Sequence, residues 1–198
     1  HRAQECDVVA GCRGVAGTVG VEDRDRIDRA DLVDRHRLRQ HVHVEAARVG
    51  VASMHASMAA ALGEQSMEAR AEWTSALGAN YLMDWPVTSA VTGKASGPLF
   101  GGNLTLLAMC ACAGRLRVPT GAILMIEDCN ERPYRIDRLL TALQLGGHLD
   151  NVAAVVCGDF TGGPWPEDAP IADVLLDRLG KLGVPVAFEA PFGHGAIN

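Results

Sequence analysis

The order of hydrophobic and polar positions predicts helices and strands that alternate from residue 66 to residue 188. Helices are predicted over 66–77, 104–113, 134–145 and 171–182, and buried strands over the continuous apolar runs 122–126, 152–157 and 184–188. The third helix is the clearest, because Ile136, Leu139, Leu140 and Leu143 recur at helical spacing. Alternating strands and helices indicate parallel β-α-β connections, so the sequence predicts an α/β fold.

Polar and turn-forming residues mark where these elements begin and end. Asn103 is a good N-cap for the helix over 104–113, and Asp84-Trp85-Pro86 is predicted to break the chain. The stretch 87–99 has the Thr, Val and Gly content of short strands and turns. A domain boundary is therefore predicted near residues 78–86.

The first 46 residues have a different composition from the rest. They contain 8 Arg, 6 Asp, 3 Glu and 4 His but no Lys, Met, Pro, Phe, Tyr or Trp. Charged residues number 17 of these 46 and 25 of the other 152. The apolar positions between residues 21 and 40 are too few and too irregular for a packed helix face. Two interpretations stay open: a solvated, salt-bridged helix, or a segment translated out of frame from a GC-rich gene.

The overall composition limits the class of protein. With 48% hydrophobic residues, 22 Gly and a net charge of -6, the chain can form a sizeable core and is neither collagen-like nor of low complexity. No apolar run reaches the roughly 18 residues of a membrane helix, so no membrane partner is expected. No basic stripe is present, so no nucleic-acid partner is expected. The sequence lacks an initiator Met and an export signal, and we interpret it as a fragment.

The sequence predicts neither a metal site nor a bound cofactor. The six Cys form no CxxC pair and are expected to be reduced, with Cys110 and Cys112 as small core residues. His55, His148, His194, Asp128 and Asp159 lack chelating spacing, and the His41/His43 pair lies in the anomalous segment. Gly101-Gly102-Asn103 lacks a phosphate-binding motif, and packing and capping are its expected roles.

Polar residues at the carboxyl ends of the predicted strands are the candidates for chemistry. Glu127 and Asp128 follow one strand, Asp159 follows the next, and His194 follows the last. In open α/β sheets functional groups gather at this edge. A carboxylate that orients a neutral His can turn it into a general base, so Glu127 and His194 indicate a hydrolytic site. The competing interpretation is a capping or ion-pairing Glu and a solvated His in a turn.

Five sequence blocks in a fixed order resemble the serine LD-carboxypeptidases, the muramoyltetrapeptide carboxypeptidase family that includes microcin C immunity peptidases. The resemblance covers about residues 50–198. The blocks are Gly-Pro-Leu-Phe-Gly-Gly-Asn-Leu-Thr-Leu-Leu (97–107), Ile-Leu-Met-Ile-Glu-Asp (123–128), Arg-Pro-Tyr-Arg-Ile-Asp-Arg-Leu-Leu (132–140), Val-Cys-Gly-Asp-Phe (156–160) and Pro-Phe-Gly-His-Gly (191–195).

The resemblance implies a function and two catalytic residues. The family uses a Ser-Glu-His triad to remove the terminal D-alanine from murein tetrapeptide in cell-wall recycling. Glu127 matches its Glu and His194 its His. The resemblance also implies a cytoplasmic homodimer that uses no cofactor and no metal.

The nucleophile that the resemblance requires is not identifiable in this sequence. The family places it in a Gly-(Tyr/Phe)-Ser-Asp turn upstream of residue 50, where this chain has the Arg/Asp-rich segment. Ser53 and Ser57 are the only serines before residue 60, and neither is followed by Asp. The family's His-Gly-Pro appears here as His55-Ala56-Ser57. Neither serine is assigned as the nucleophile.

The resemblance also divides the chain. Residues 1–46 are the anomalous segment, a frame-shifted N-terminal domain in one interpretation. Residues 47–85 would be the end of a Rossmann-like N-terminal domain and a linker. Residues 86–198 would be an α/β C-terminal domain of the LD-carboxypeptidase type, truncated at its end. Three alternatives to an L,D-carboxypeptidase stay open: a microcin-immunity-like peptidase acting on an aminoacyl-nucleotide conjugate, a non-catalytic binding or dimerisation fragment, and a non-functional product. The last predicts that Leu104 and Leu107 lose their cover.

Overall fold

A five-stranded sheet organises the part of the chain that carries the candidate site. The computed structural model of the chain describes residues 8–11, 44, 46, 49, 53, 63, 66–76, 82–163, 165 and 170–194. The strands are β1 (Val8–Gly11), β2 (Leu82–Trp85), β3 (Thr88–Val91), β4 (Leu99–Asn103), β5 (Ile123–Cys129), β6 (Ala154–Thr161) and β7 (Val186–Phe188). The helices are α1 (Met67–Ala76), α2 (Leu104–Cys112), α3 (Pro133–Leu145) and α4 (Ile171–Leu179), with a 3-10 turn at Gly180–Leu182.

The larger sheet has the strand order β3-β7-β6-β5-β4. β4, β5, β6 and β7 are parallel, and β3 pairs antiparallel with β7 at the edge. The helices α2, α3 and α4 connect successive parallel strands, as the alternating pattern predicts. The predicted α/β fold class is confirmed. A second, two-stranded sheet pairs β1 with β2, with Val8 opposite Trp85.

The two faces of the larger sheet differ in what covers them. Leu124, Ile126 and Val155 lie in one core with buried residues of α2, α3 and α4. Ile123 and Val156, which alternate with them, lie in a second cluster formed with Ala190, Trp85 and Phe192, among others. Neighbouring residues of a strand point to opposite faces. The helices therefore cover one face, and Trp85 of β2 together with loop residues covers the other.

Apart from Val44, the buried residues of the first core lie at Phe100 and beyond. Leu104 and Leu107 are at most 1% exposed and contact α3 and the sheet in that core. If the chain were a non-functional product, these two side chains were expected to be exposed. They are buried, so that expectation is wrong.

Most predicted helices are found within a few residues of their expected bounds. α1 covers Met67–Ala76, and Asn103 caps α2 by accepting a hydrogen bond from the Leu106 N–H at 3.1 Å. The helix predicted over 171–182 ends at Leu179 and continues as the 3-10 turn. The expected helix stop at Gly78 lies outside the described residues.

Several predictions differ from the structure at strand ends. β5 and β6 continue to Cys129 and Thr161, because pairing resumes after a register shift between Ile126 and Asp128. Glu127, Asp128 and Asp159 therefore lie within strands rather than after them. The break predicted at Asp84-Trp85-Pro86 is wrong for its first two residues, which belong to β2.

The cysteines divide between core and surface. Cys157 is buried in the core, and burial raises the pKa of its thiol. Cys110 is partly buried against the same core, whereas Cys112 is exposed, so the prediction of a core role is wrong for Cys112. The two differ because side chains two residues apart on a helix point in different directions. Cys6 and Cys12 lie outside the described residues.

None of the helices in the described part of the chain is long and apolar enough to cross a membrane.

Candidate active site

Glu127 lies near the carboxyl end of β5, on the sheet face that the helices leave uncovered. It follows Leu124, Met125 and Ile126, whose alternation fixes which face each side chain takes. The Asp128 side chain takes the opposite face, where it reaches the start of α2. Both carboxyl residues are buried, Glu127 at 4% and Asp128 at 3% exposure.

The loop that carries His194 is fixed by contacts with the sheet. It leaves β7 at Glu189, which has a left-handed φ of 62° and whose Oε2 accepts a hydrogen bond from the Thr88 hydroxyl. The Ala190 N–H then donates to the Cys157 carbonyl at 3.1 Å, and the Asp159 N–H donates to the Phe192 carbonyl at 2.8 Å. These bonds tie the loop to β6, the strand next to β5.

Two glycines allow the loop to lie this close to the sheet. A Cβ at Gly158 would be 2.3 Å from the Phe192 carbonyl oxygen, closer than real Cβ atoms approach. Gly193 has a φ of 125°, and a Cβ there would be 3.2 Å from Cβ of Glu127 and 3.0 Å from Cβ of Asp159. Glycine at 193 therefore serves both the backbone conformation and the close packing.

His194 and Glu127 form a hydrogen-bonded pair. Nδ1 of His194 is 2.7 Å from Oε2 of Glu127. The Glu127 side chain is 5% exposed and the His194 side chain 39% exposed. A buried carboxylate on Nδ1 favours the tautomer with its proton on that nitrogen, which leaves Nε2 able to accept one.

Burial and hydrogen bonds act on Glu127 in opposite directions. Burial is the largest influence and raises the pKa of the carboxyl group above its ordinary value, and the charge of Asp128 adds to this. The hydrogen bond to His194, the charge interaction with His194 and a hydrogen bond to Asn103 lower the pKa. The net direction is upward, so these partners only partly offset the cost of burying the charge.

Asp128 accepts four hydrogen bonds. Its Oδ1 accepts from Asn103 Nδ2 at 2.9 Å and from the Cys129 N–H at 2.9 Å. Its Oδ2 accepts from the Thr105 N–H at 3.0 Å and the Thr105 hydroxyl at 2.8 Å. The carboxylate therefore joins the end of β5 to the N-terminus of α2, where a negative charge is favourable.

The other sequence candidates lie elsewhere or act through their backbone. Asp159 contacts the His194 loop through its N–H and Cβ. His148 lies just after the C-terminus of α3, on the connection that leads into β6. It therefore lies near the amino ends of the strands, whereas Glu127 lies near the carboxyl end of β5. Gly101 packs against the Met125 carbonyl, in keeping with its expected packing role. Among the described residues, no group of three His, Cys, Asp or Glu could hold a metal ion.

Of the serines near the expected nucleophile region, only Ser53 belongs to the described residues. Ser53 is exposed. Ser57, His41, His43 and His55 lie outside the described residues.

Sequence reasoning missed two parts of the site. The first is the hydrogen bond from Asn103 to Asp128, which depends on the pairing of β4 with β5 that sets Asn103 opposite Glu127. The second is the stack of Trp85 on Phe192, with ring centroids 5.9 Å apart and planes at 22°. The capping pattern at Asn103 pointed to the first, whereas nothing in the local sequence pointed to the second.

Comparison with known proteins places this domain in a family. Residues 96–198 match the family of LD-carboxypeptidase C-terminal domains, and the chain belongs to that family. A relative in Synechocystis that is named a carboxypeptidase is 41% identical over 109 residues, 54% of this chain and 36% of that protein. The murein tetrapeptide carboxypeptidase of Pseudomonas aeruginosa is 36% identical over 107 residues, 53% of this chain and 35% of that protein.

A solved structure is similar in fold as well. The crystal structure of muramoyltetrapeptide carboxypeptidase from Oxalobacter formigenes matches with a TM-score of 0.64 at 25% identity, covering 80% of this chain and 57% of that one. The chain spans little more than a third of the length of the two sequence relatives.

Proposed function

We propose that this chain carries the Glu-His part of a serine-type L,D-carboxypeptidase, which removes the terminal D-alanine from murein tetrapeptide during cell-wall recycling. The hydrogen bond of 2.7 Å between His194 Nδ1 and Glu127 Oε2 carries the proposal. The pair forms from residues 67 apart in sequence, at positions that match the family's Glu and His blocks.

The names of the relatives support this substrate. The Pseudomonas aeruginosa protein is a murein tetrapeptide carboxypeptidase, and the Oxalobacter formigenes structure is a muramoyltetrapeptide carboxypeptidase. Both names favour a murein peptide over the aminoacyl-nucleotide conjugate of the microcin-immunity alternative.

The geometry fits general acid-base catalysis. In the proposed mechanism, Nε2 of His194 takes the proton of a serine hydroxyl as its oxygen attacks the peptide carbonyl, and later donates it to the leaving amine of D-alanine. Glu127 orients the imidazole and stabilises the imidazolium. Backbone amides would stabilise the oxyanion, and a single such donor contributes roughly 3–4 kcal/mol.

The serine itself is not assigned in this chain. The family places it in the N-terminal domain, which the proposed division assigns to residues upstream of 86.

We also propose that the full protein is a cytoplasmic homodimer that uses no metal or cofactor. Sedimentation of the protein at several concentrations tests the dimer, and a monomer at all of them would contradict it.

A hybrid protein tests the proposed function. This hybrid joins the N-terminal part of the Pseudomonas aeruginosa relative to residues 82–198 of this chain, which include Trp85. We call it the hybrid below. Release of D-alanine from murein tetrapeptide is the assay. Activity of the hybrid that His194→Ala lowers by at least about 10³-fold would support the proposal.

Two results would overturn it. One is a hybrid that melts cooperatively, binds tetrapeptide and releases no D-alanine. The other is a His194→Ala hybrid as fast as the unchanged hybrid. Asp137→Asn is the matched control, since Asp137 bonds Arg178 between α3 and α4 and is expected to leave the rate unchanged.

A further inference from the structure

Glu189, the first residue after β7, holds a backbone conformation that its residue type disfavours. Its φ of 62° lies in the left-handed region, where the Cβ of an ordinary residue is crowded. Glycine adopts this conformation without that cost, and Asn adopts it more readily than Glu does. Asn130 is the other non-glycine residue of positive φ in the described part of the chain. A glutamate at position 189 is therefore costly, and its side chain is expected to compensate.

The Glu189 side chain makes a contact that glycine could not make. Its Oε2 accepts a hydrogen bond from the hydroxyl of Thr88, the first residue of β3. Thr88 pairs with Phe188, the last residue of β7, so this bond continues the pairing of the two strands beyond the end of β7. The carboxylate thereby holds the turn after β7 against the edge strand of the sheet.

The start of the loop is held from both sides. In the sheet, β7 lies between β3 and β6. On the β6 side, the Ala190 N–H donates to the Cys157 carbonyl at 3.1 Å. On the β3 side, Thr88 donates to Glu189. Because these bonds join adjacent residues to strands on opposite sides, together they fix the course of the chain as it leaves β7.

The same turn fixes the approach to His194. The Phe192 N–H donates to the Ala190 carbonyl at 2.8 Å, and the Phe192 ring stacks on Trp85, which lies just before β3. Only Gly193 separates Phe192 from His194. The course of the chain at the start of the loop therefore determines where the imidazole lies relative to its carboxylate.

We propose that Glu189 is a positioning residue for His194. The Thr88 hydroxyl holds the Glu189 carboxylate, and this bond sets the turn that brings the imidazole to Glu127. The proposal rests on the proposed function only for its effect on the rate. The placement of the imidazole can be measured without any reaction.

The tautomer of His194 reports that placement. Ring ¹⁵N chemical shifts of the intact 198-residue chain, measured at alkaline pH where the imidazole is neutral, show which nitrogen holds the proton. The parent chain is expected to keep it on Nδ1, facing Glu127. In an imidazole displaced from this carboxylate, a substantial fraction is expected to move to Nε2, the form that isolated imidazole side chains prefer.

Glu189→Gly separates positioning from stability. It removes the carboxylate and, with it, the cost of the left-handed conformation. Because the Thr88 and Glu189 side chains are exposed, the lost hydrogen bond contributes little to stability. The urea midpoint of the intact chain is therefore expected to change little, whereas the proton of His194 is expected to shift towards Nε2.

Thr88→Val breaks the same bond from the other side. It keeps the branched shape that suits β3 and removes only the hydroxyl donor. It is expected to shift the tautomer as Glu189→Gly does, and it decides the question if Glu189→Gly does not fold. Thr88→Ser keeps the hydroxyl donor and Glu189→Gln keeps an acceptor oxygen, so both are expected to retain the parent tautomer.

Asn130→Gly is the matched control for a glycine placed at left-handed φ. Asn130 has a φ of 58° and follows β5 rather than β7. Its N–H donates to the Thr161 carbonyl at 2.7 Å, a bond that glycine keeps. The variant gains the backbone freedom of glycine in a different loop, so it is expected to leave the tautomer of His194 unchanged.

The hybrid, which contains Thr88 and Glu189, adds a kinetic readout. Glu189→Gly and Thr88→Val are each expected to lower kcat about 10-fold with little change in KM, because a displaced general base accepts the serine proton less effectively. Thr88→Ser, Glu189→Gln and Asn130→Gly are expected to stay within about twofold of the parent kcat, as surface substitutions usually do.

The outcomes separate this inference from the proposed function. If Glu189→Gly and Thr88→Val, both folded, keep the parent tautomer, the positioning role is wrong. It is also wrong if Asn130→Gly shifts the tautomer as much as they do. If the tautomer responds as expected while the hybrid releases no D-alanine, the positioning role holds and the proposed function fails.

Discussion

Gly193 packs directly against Glu127, and the contact leaves no room for a side chain. A Cβ at residue 193 would lie 3.2 Å from Cβ of Glu127, and the backbone φ of 125° is one that residues with a Cβ rarely adopt. The residue before the histidine thus determines how near the imidazole comes to its carboxylate.

Gly193→Ala is therefore expected to damage the site more than the fold. The backbone strain costs on the order of 1–3 kcal/mol, and relief of that strain moves His194 away from Glu127. In the hybrid, kcat is expected to fall by at least tenfold while the urea midpoint falls modestly. Gly163→Ala, where a Cβ meets nothing within 4 Å, is the control and should change neither. A Gly193→Ala hybrid with parental kcat would contradict this account of the loop.

Glu127→Gln is expected to stabilise the fold near neutral pH. Burial raises the pKa of the Glu127 carboxyl group, so the folded state binds its proton more tightly than the unfolded state does. The carboxyl group therefore destabilises the fold as pH rises through its ordinary and then its raised pKa, and the cost is absent below both. Urea unfolding of the intact chain across this range should show the gain of the variant shrinking in acid.

An exposed glutamate provides a control with the opposite sign. Hydrogen bonds from its own backbone and from Ser66 lower the pKa of Glu68 at the start of α1. Glu68→Gln should therefore not stabilise the fold at neutral pH. The result would contradict this account if the Glu127→Gln chain were less stable than the parent at neutral pH and the difference did not change with pH. Burial of this charge would then not be costly.

Trp85→Leu is expected to loosen the loop that carries His194. Trp85 stacks on Phe192, and such a pair contributes about 0.5–1.5 kcal/mol beyond the area it buries. The variant should lower the urea midpoint of the intact chain and the kcat of the hybrid together. Trp165→Leu, outside this stack, is the control for loss of an indole. A change in the midpoint with unchanged kcat would mean that the stack stabilises the fold without positioning the histidine.

The intact chain is expected to release no D-alanine by itself. No Gly-(Tyr/Phe)-Ser-Asp turn precedes residue 50 in this sequence, and neither Ser53 nor Ser57 stands in such a context. D-Alanine release by the purified chain that His194→Ala abolishes would show that it contains its own nucleophile.

The encoding DNA decides between the two interpretations of residues 1–46. Translation of all three frames upstream of codon 50 is expected to reveal the serine turn in a shifted frame. If every frame lacks it, the Arg/Asp-rich segment is genuine, and a binding role becomes the better account of the chain.

The sequence predicts helices and helix caps where the local order of apolar and capping residues determines the structure. The helix α3 follows from its apolar spacing, and the cap of α2 follows from Asn103. The ends of β5 and β6 could not be predicted, because they depend on how far the two strands continue to pair past a register shift. Local preference alone would have ended β5 at Ile126.

The candidate site divides in the same way. Glu127 and His194 were identified from their positions after apolar runs and from the family blocks. The hydrogen bond of Asn103 to Asp128 and the stack of Trp85 on Phe192 depend on contacts between residues 25 and more than 100 apart. Such contacts are set by strand order and loop path, which the sequence pattern does not specify.

The most direct test of the central claim is a double-mutant cycle on the Glu127–His194 pair in the hybrid, with D-alanine release from murein tetrapeptide as the rate. If the two residues work as one unit, His194→Ala alone should cost nearly as much as the double variant, and Glu127→Gln should add little once His194 is gone. The claim would be contradicted if each substitution lowered the rate independently, so that the two fold-reductions multiplied in the double variant. A Glu127→Gln hybrid with parental kcat would contradict it as well.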